Sequence, residues 1–331
     1  MIEHISVALP EWKVGAEEIA EWTGSDPEFI RGKVGIDSRR FLREDETARD
    51  LAAAAVRKLI DETGIATGDV DFMLTVTQTP DERLPHLGAR VQTACGLPTT
   101  VMALDISLGC SGYVHALSVA KGLMATGMRR GLIVTCDPYS KMMRRRDKAT
   151  VTVFGDAATC SLVDGDGIDR LGRFDYGTDG SGAEHLTYKG PPLPGALAAE
   201  DGIPAENEAP DETGDEVPSL HMNGREILNF MLERVPDSVD RCLERNGLTR
   251  DDVDLFVFHQ ASRYMLTLLA RRMGLDIARV PIRIGETGNT VSSTIPAVLS
   301  DLAASGDLRG RTVLLSGFGV GLSWATTVLR T

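Results

Sequence analysis

The sequence predicts an α/β protein built from two similar halves. Three observations carry that prediction. Strand-like β-branched runs alternate with helix-like runs along the whole chain, which implies largely buried sheets covered by helices. A weak internal repeat relates the first half to the second. The length of 331 residues, with 42% hydrophobic and 25% charged composition, suffices for a large buried core and excludes both a disordered chain and a small disulfide-stapled scaffold.

Each element follows from local pattern. From Thr47 to Thr63, Leu51, Ala55, Leu59 and Ile60 recur at helical spacing, and Phe72-Met-Leu-Thr-Val-Thr follows as a short apolar strand. The run Ser111–Thr126 reads as a helix, with Gly131-Leu-Ile-Val-Thr-Cys136 as the strand after it. Gly64-Ile-Ala-Thr-Gly-Asp-Val-Asp-Phe-Met-Leu74 aligns with Gly247-Leu-Thr-Arg-Asp-Asp-Val-Asp-Leu-Phe-Val257 at an offset of 183 (247 − 64). The strand 131–136 aligns with Arg311-Thr-Val-Leu-Leu-Ser316 at 180 (311 − 131). The turn cluster Val163-Asp-Gly-Asp-Gly-Ile168 marks the seam, giving halves at 1–166 and 167–331. Residues 190–218 are acidic and Pro-rich with almost no aromatic content, so they are expected to form a long surface excursion.

Composition narrows function. A formal net charge of −13 argues against nucleic acid as the main partner. The opening Met1-Ile-Glu-His-Ile-Ser-Val lacks the basic region and apolar core of a signal peptide. The longest uncharged run, Thr312 to Leu329, holds three Gly and several Ser/Thr, so it reads as buried strands around a turn and not as a membrane span. Five cysteines (Cys95, Cys110, Cys136, Cys160, Cys242) with no C-x-x-C pair suit free thiols in a reducing cytosol and disfavour structural zinc. A soluble, cytoplasmic protein is expected.

Three segments carry candidate chemistry. In Asp105-Ile-Ser-Leu-Gly-Cys110-Ser-Gly-Tyr, a strand ends near Ile106, Gly109 turns the chain and a helix starts at or just after Cys110. A thiol at a helix N-terminus is expected to have a lowered pKa, the logic of a nucleophile elbow built on sulfur; the competing reading is a buried filler cysteine. In Val253-Asp-Leu-Phe-Val-Phe258-His259, a strand runs into a polar tip and presents His259 as an acid/base candidate, with a structural histidine as the alternative; His4 and His115 sit in less diagnostic settings. In Glu286-Thr-Gly288-Asn289-Thr290, the Gly-Asn-Thr run reads first as a helix cap, and the repeat offset (290 − 180 = 110) sets Thr290 opposite Cys110. An Asn beside a thiolate also offers a donor to a carbonyl oxygen. Gly317-Phe-Gly-Val-Gly321 is not a dinucleotide loop, because no long helix and no acidic residue follow; a turn whose N–H groups face an oxyanion fits better.

Together Cys110, His259, Asn289 and the glycine-rich tail resemble the thiolase superfamily, and within it the 3-oxoacyl-[acyl-carrier-protein] synthase III type. The resemblance runs from Phe29-Ile-Arg-Gly-Lys-Val-Gly-Ile-Asp-Ser-Arg-Arg40 to Gly317–Trp324 and includes Val153-Phe-Gly-Asp156-Ala-Ala, His259-Gln-Ala and Gly288-Asn-Thr290. It implies a five-layered αβαβα fold of two duplicated halves, a homodimer, and a Cys-His-Asn site at the seam, with CoA or acyl-carrier-protein (ACP) thioesters as substrates and no cofactor or metal. Cys110 would take an acyl group, and His259 and Asn289 would polarise the malonyl-ACP carbonyl as CO2 leaves. The backbone N–H groups of Cys110 and Val320 would form the oxyanion hole. Leu84, reaching across the dimer, and Phe318 would wall the acyl pocket. Phe29 replaces the family's adenine-stacking Trp, Lys33 and Lys148 replace two CoA-contacting Arg, Ser262 replaces an Asn, and the Arg that follows is shifted to Arg263 with Tyr264 in its usual place; the resemblance implies CoA or ACP contacts at Phe29, Lys33, Lys148 and Arg263. These departures extend the expected primer beyond acetyl-CoA to a larger acyl-CoA or acyl-ACP. The basic run Lys141-Met-Met-Arg144-Arg-Arg146-Asp-Lys148 is expected to help dock the carrier protein or CoA phosphates, against the alternative of a solvated face. Two other functions compete: transfer of the acyl group from Cys110 to an alcohol or amine without condensation, and a non-catalytic partner subunit. Asn289 favours condensation over the first, and the retained Cys110, His259 and Asn289 disfavour the second.

Overall fold

A computed structural model describes residues 2–189 and 219–331; the expected excursion at 190–218 lies outside them. The chain starts with β1 (Ile2–Ala8). A hairpin pairs β2 (Trp12–Gly15) with β3 (Ser38–Phe41) and encloses α1 (Ala16–Thr23) and α2 (Pro27–Phe29). Next comes α3 (Ala48–Thr63), started by the Thr47 hydroxyl accepting from Asp50 N at 3.1 Å and stopped by Gly64 in the left-handed conformation at φ +66°. There follow β4 (Phe72–Val76), α4 (Leu87–Ala94), β5 (Met102–Ile106), α5 (Gly112–Ala125), β6 (Arg130–Cys136), α6 (Lys148–Val151) and β7 (Ala158–Asp164). Strands of this half form one sheet in the order β1-β7-β6-β4-β5, with β4 parallel to both β5 and β6.

The second half supplies β8 (Asp175–Thr178), a two-stranded ribbon of β9 (Leu186–Lys189) and β10 (Ser219–Met222), α7 (Gly224–Arg245), β11 (Leu255–Phe258), α8 (Arg263–Met273), α9 (Thr294–Ala304), β12 (Thr312–Gly319) and β13 (Ser323–Arg330). Its main sheet runs β11-β12-β13-β8, which repeats β4-β6-β7-β1 in order and in strand direction. The uncharged run from Thr312 is therefore a buried hairpin, as its glycines and β-branched residues imply. Helices α5 and α9 lie between the two sheets, α3 covers the outer face of the first and α7 that of the second, giving five layers. Burial on both faces explains why β4 and β6 are apolar almost throughout.

The starts of α5 and α9 are 182 residues apart (294 − 112). Ser292, not Thr290, therefore stands in the place of Cys110; the weak repeat misplaced the pairing by two residues because it was anchored on strands, not on the central helices. The same offset pairs Ser111 with Ser293, the residues just before α5 and α9, and both reach across the seam. Ser111 Oγ lies 2.7 Å from Ser323 Oγ at the start of β13. Ser293 Oγ lies 2.8 Å from Thr135 Oγ1 on β6, itself 2.7 Å from Thr159 Oγ1 on β7. Each central helix is thus tied at its N-terminus to the other half's sheet by buried hydroxyls whose loss would leave unsatisfied partners.

Candidate active site

Cys110 occupies the turn between β5 and α5, directly beneath β12. A Cβ on Gly317 would stand 2.8 Å from the Cys110 carbonyl oxygen, and one on Gly319 would stand 2.8 Å from Sγ, so only glycine lets the strand pass this close. The N–H groups of Val320 and of Cys110 itself both donate toward the sulfur. The expected lowering of the thiol pKa does not occur. Burial pushes the Cys110 thiol up to about 12, the Asp137 carboxylate adds to the rise, and the two N–H groups only partly offset it. Cys110 also precedes the first residue of α5 by two positions, so the helix terminus does not compensate. Asp137, itself raised to about 6 by burial, accepts from Gln78 N at 2.7 Å and from the Ser292 hydroxyl, and so joins the loop after β4 to the loop before α9.

His259 follows β11 directly, and its N–H donates to the Ser316 carbonyl at 2.9 Å, continuing the β11–β12 ladder. The ring is buried, which drives its pKa down to about 3 and keeps it neutral. Nδ1 lies 2.8 Å from Thr294 Oγ1, and the Phe318 ring packs against the imidazole edge to face at 5.6 Å. Asn289 is held by a bridge to Phe154: Asn289 N donates to Val153 O at 2.9 Å and Gly155 N donates to Asn289 O at 3.1 Å. A Cβ at Gly155 would lie 2.1 Å from the Thr287 carbonyl oxygen, which is why the Val-Phe-Gly-Asp run needs its glycine. Asp156 anchors the same run from beneath, accepting from Leu42 N at 2.9 Å and Ser140 N at 3.2 Å. Asn289 Oδ1 accepts from Val291 N at 2.9 Å in a local turn and not as the expected helix cap, since the cap positions Thr290 and Ser293 make no side-chain cap hydrogen bond; its Nδ2 faces His259 Nε2 at 3.4 Å.

Cys110, His259 and Asn289 meet at the inner end of one cavity of about 510 Å³. Phe318 lines it, as do Leu186, Met222, Ile227 and Leu228, which generic apolar patterns on separate elements did not distinguish in the sequence. At the mouth, Phe29 is 38% exposed, with the Lys148 and Lys33 ammonium groups 5.2 and 6.0 Å from its ring centroid. Val320 contributes its backbone N–H, not its side chain. Arg263 does not line the cavity: it is exposed, against Gly35, while Ser262 and Tyr264 line the wall. Leu84 is 84% exposed and stands outside the cavity of its own chain. In the basic run, Lys141 Nζ binds the Glu44 and Arg43 carbonyls, the former at 3.2 Å, and the Arg145 guanidinium packs 4.8 Å from the Trp22 ring. These two side chains hold local structure, whereas Lys148 is exposed at the mouth. Among the described residues no group of three or more His, Cys, Asp or Glu is placed to hold a metal, and no helix is long and apolar enough to cross a membrane.

Chemically, the arrangement offers two places where a carbonyl oxygen could be held. One lies at the sulfur, between two backbone N–H groups; the other lies before the neutral imidazole and the Asn289 amide. Sequence reasoning missed Thr294, Asp137 and Ser323, each a polar residue at a strand end or helix start, the one signal that marked them. Comparison with known proteins gives a consistent relationship. The family model described as 3-oxoacyl-[acyl-carrier-protein (ACP)] synthase III matches residues 104–180, and the model of its C-terminal part matches 243–331. A beta-ketoacyl-[acyl-carrier-protein] synthase III of Streptococcus pneumoniae (strain Hungary19A-6) is 32% identical over 99% of this chain and 98% of its own. A crystal structure of a 3-oxoacyl-(acyl-carrier-protein) synthase III superposes with a TM-score of 0.89 at 38% identity, covering 100% of this chain and 99% of that one. A 3-oxoacyl-(acyl-carrier protein) synthase from Burkholderia xenovorans LB400 superposes at 0.86 with 33% identity, covering 100% and 93%.

The electrostatics predict how the thiol responds to pH. With the thiol near 12 and the imidazole near 3, both groups are neutral at pH 7. Alkylation of Cys110 by iodoacetamide, followed by peptide mass mapping, is expected to accelerate roughly tenfold per pH unit from pH 7 to 9, because the thiolate is the nucleophile. A rate independent of pH in that range would reveal a preformed thiolate–imidazolium pair.

Proposed function

The chain belongs to the 3-oxoacyl-[acyl-carrier-protein] synthase III family and is an enzyme of the acyltransferase type, and from that premise we propose that it joins an acyl primer to malonyl-ACP through an acyl-Cys110 intermediate. The observation that carries this reading is that the two backbone N–H groups at the Cys110 sulfur share one cavity with the His259–Asn289 pair. In the first step Sγ attacks the primer thioester; the thiol proton goes to the departing CoA or carrier thiolate, and the oxyanion sits between the Cys110 and Val320 N–H groups. Loss of one such donor costs about 10²–10³-fold in rate. In the second step the malonyl carbonyl lies before His259 and Asn289. The carboxylate leaves as CO2, its bonding electrons form the enolate, and the enolate carbon attacks the acyl carbon. Cys110 leaves as thiolate and takes one proton from solvent. The scheme balances with the two thioesters and that one proton.

The same reading assigns the mouth and the partner. The ammonium groups of Lys33 and Lys148 beside Phe29 suit a phosphate of CoA or of the carrier's prosthetic arm. The apolar walls at Leu186, Met222 and Ile227 suit an aliphatic primer. β5 is an edge strand without an outer neighbour among the described residues, and Leu104 on it is 42% exposed, with Val119 on α5 37% exposed. An open edge with apolar side chains is a surface that a second copy would cover, giving a homodimer and bringing Leu84 toward the partner's site.

Intact-mass spectrometry with a panel of acyl-CoA and acyl-ACP donors tests the chemistry. An acyl adduct on the wild type, absent from Cys110→Ala and discharged as 3-oxoacyl-ACP when malonyl-ACP is added, is expected. An adduct that malonyl-ACP leaves untouched supports simple acyl transfer, and no adduct from any donor supports the partner-subunit reading. Light scattering after size exclusion tests the assembly: the wild type is expected at twice its chain mass and Leu104→Asp at the monomer mass. A monomeric wild type would remove the homodimer.

A further inference from the structure

Thr294, the first residue of α9, has its hydroxyl oxygen 2.8 Å from His259 Nδ1 and 3.0 Å from the Val291 carbonyl oxygen. A hydroxyl carries one hydrogen, so it serves one of these acceptors at a time. On the far side of the ring the geometry is fixed: Asn289 Oδ1 is taken by Val291 N–H, so Nδ2 and its hydrogens face His259 Nε2. The Val291 carbonyl also faces the ring and favours a hydrogen on Nδ1, and two arrangements satisfy these partners. In one, Nδ1–H donates to Thr294, the Thr294 hydrogen goes to Val291 O, and Nε2 presents its lone pair to Asn289 Nδ2–H. In the other, the Thr294 hydroxyl turns to donate to Nδ1 and Nε2 carries the hydrogen, so Nε2–H and Nδ2–H point at one shared oxygen. The turn strands no carbonyl, because the backbone N–H of Thr294 also donates to Val291 O.

We propose that Thr294 is the positioning residue that sets the His259 tautomer, holding Nδ1–H in the free enzyme and reversing its hydroxyl when a substrate carbonyl occupies the place before His259 and Asn289. The inference rests on reading that pair as the second carbonyl station. The imidazole stays neutral throughout: one proton leaves Nδ1 and one arrives at Nε2, carried by water, as one Thr294 hydrogen bond to Val291 is exchanged for one to Nδ1. A histidine in the wrong tautomer loses most of its catalytic use even when its position is intact.

The test uses full-length protein labelled with ¹⁵N in its imidazoles, with His259→Gln to assign the signals, and compares wild type with Thr294→Val and Thr294→Ser. In free wild type the His259 signals are expected to show Nδ1 protonated and Nε2 bare at neutral pH. Thr294→Val is expected to lose that pattern and to slow condensation roughly tenfold or more, while Cys110 acylation changes far less; Thr294→Ser is expected to restore both. Protonated Nε2 in the free wild type, a wild-type spectrum and condensation rate in Thr294→Val, or failure of Thr294→Ser to restore them overturns the proposal. A wild type that makes no 3-oxoacyl product overturns the functional reading instead, and the spectra decide the tautomer independently.

Discussion

The pinning of each central helix start to the opposite sheet is the constraint on which the rest of the molecule depends. Ser111 to Ser323 and Ser293 to Thr135 tie the two halves together just where Cys110 and Asn289 are presented. Because the N-terminal ends of α5 and α9 are buried, their preceding loops need partners, and each half provides them for the other. The same logic recurs around the reacting groups. Val153 and Gly155 of the first half hold Asn289 of the second, while Gly317 and Gly319 of the second half admit Cys110 of the first. A site assembled this way exists only when both halves are folded and docked.

Burial has an electrostatic consequence. It drives the Cys110 thiol up and the His259 imidazole down, so the resting site is a neutral pair and not an ion pair. In the proposed reaction, rate enhancement then has to come from donors aimed at the oxygen atoms where charge develops: the two backbone N–H groups, the Asn289 amide and, once its hydrogen is on Nε2, the His259 imidazole. The raised carboxyl of Asp137 fits the same pattern: buried and fully hydrogen-bonded, it joins two loops instead of acting on substrate.

Much of this was legible from residues. Alternating apolar runs marked the strands, and the Gly64 and Gly247 segments marked the duplication, because both close a helix and open the same strand of their sheets. Cys110, His259 and Asn289 stood out as polar or reactive residues where a strand or turn gives way to a loop. Other features depend on contacts between distant segments. The Cys110 pKa is decided by burial and by Asp137, which no local motif reveals. The pairing of Thr290 with Cys110 failed because the strand offset does not carry into the helices. Arg263 fell outside the cavity because the first turn of α8 directs Tyr264, not its neighbour, to the wall. Leu84 needs a second copy to have any role at the site.

In the proposed chemistry one sulfur is served by two separate carbonyl stations. The most direct measurement is a crystal structure of the protein after soaking with an acyl-CoA. Electron density continuous with Cys110 Sγ is expected, with the acyl carbonyl oxygen within hydrogen-bond reach of the Cys110 and Val320 N–H groups and the space before His259 and Asn289 left open for the second substrate. An acyl carbonyl bound instead to His259 and Asn289, or an acyl group on any other residue, would contradict it.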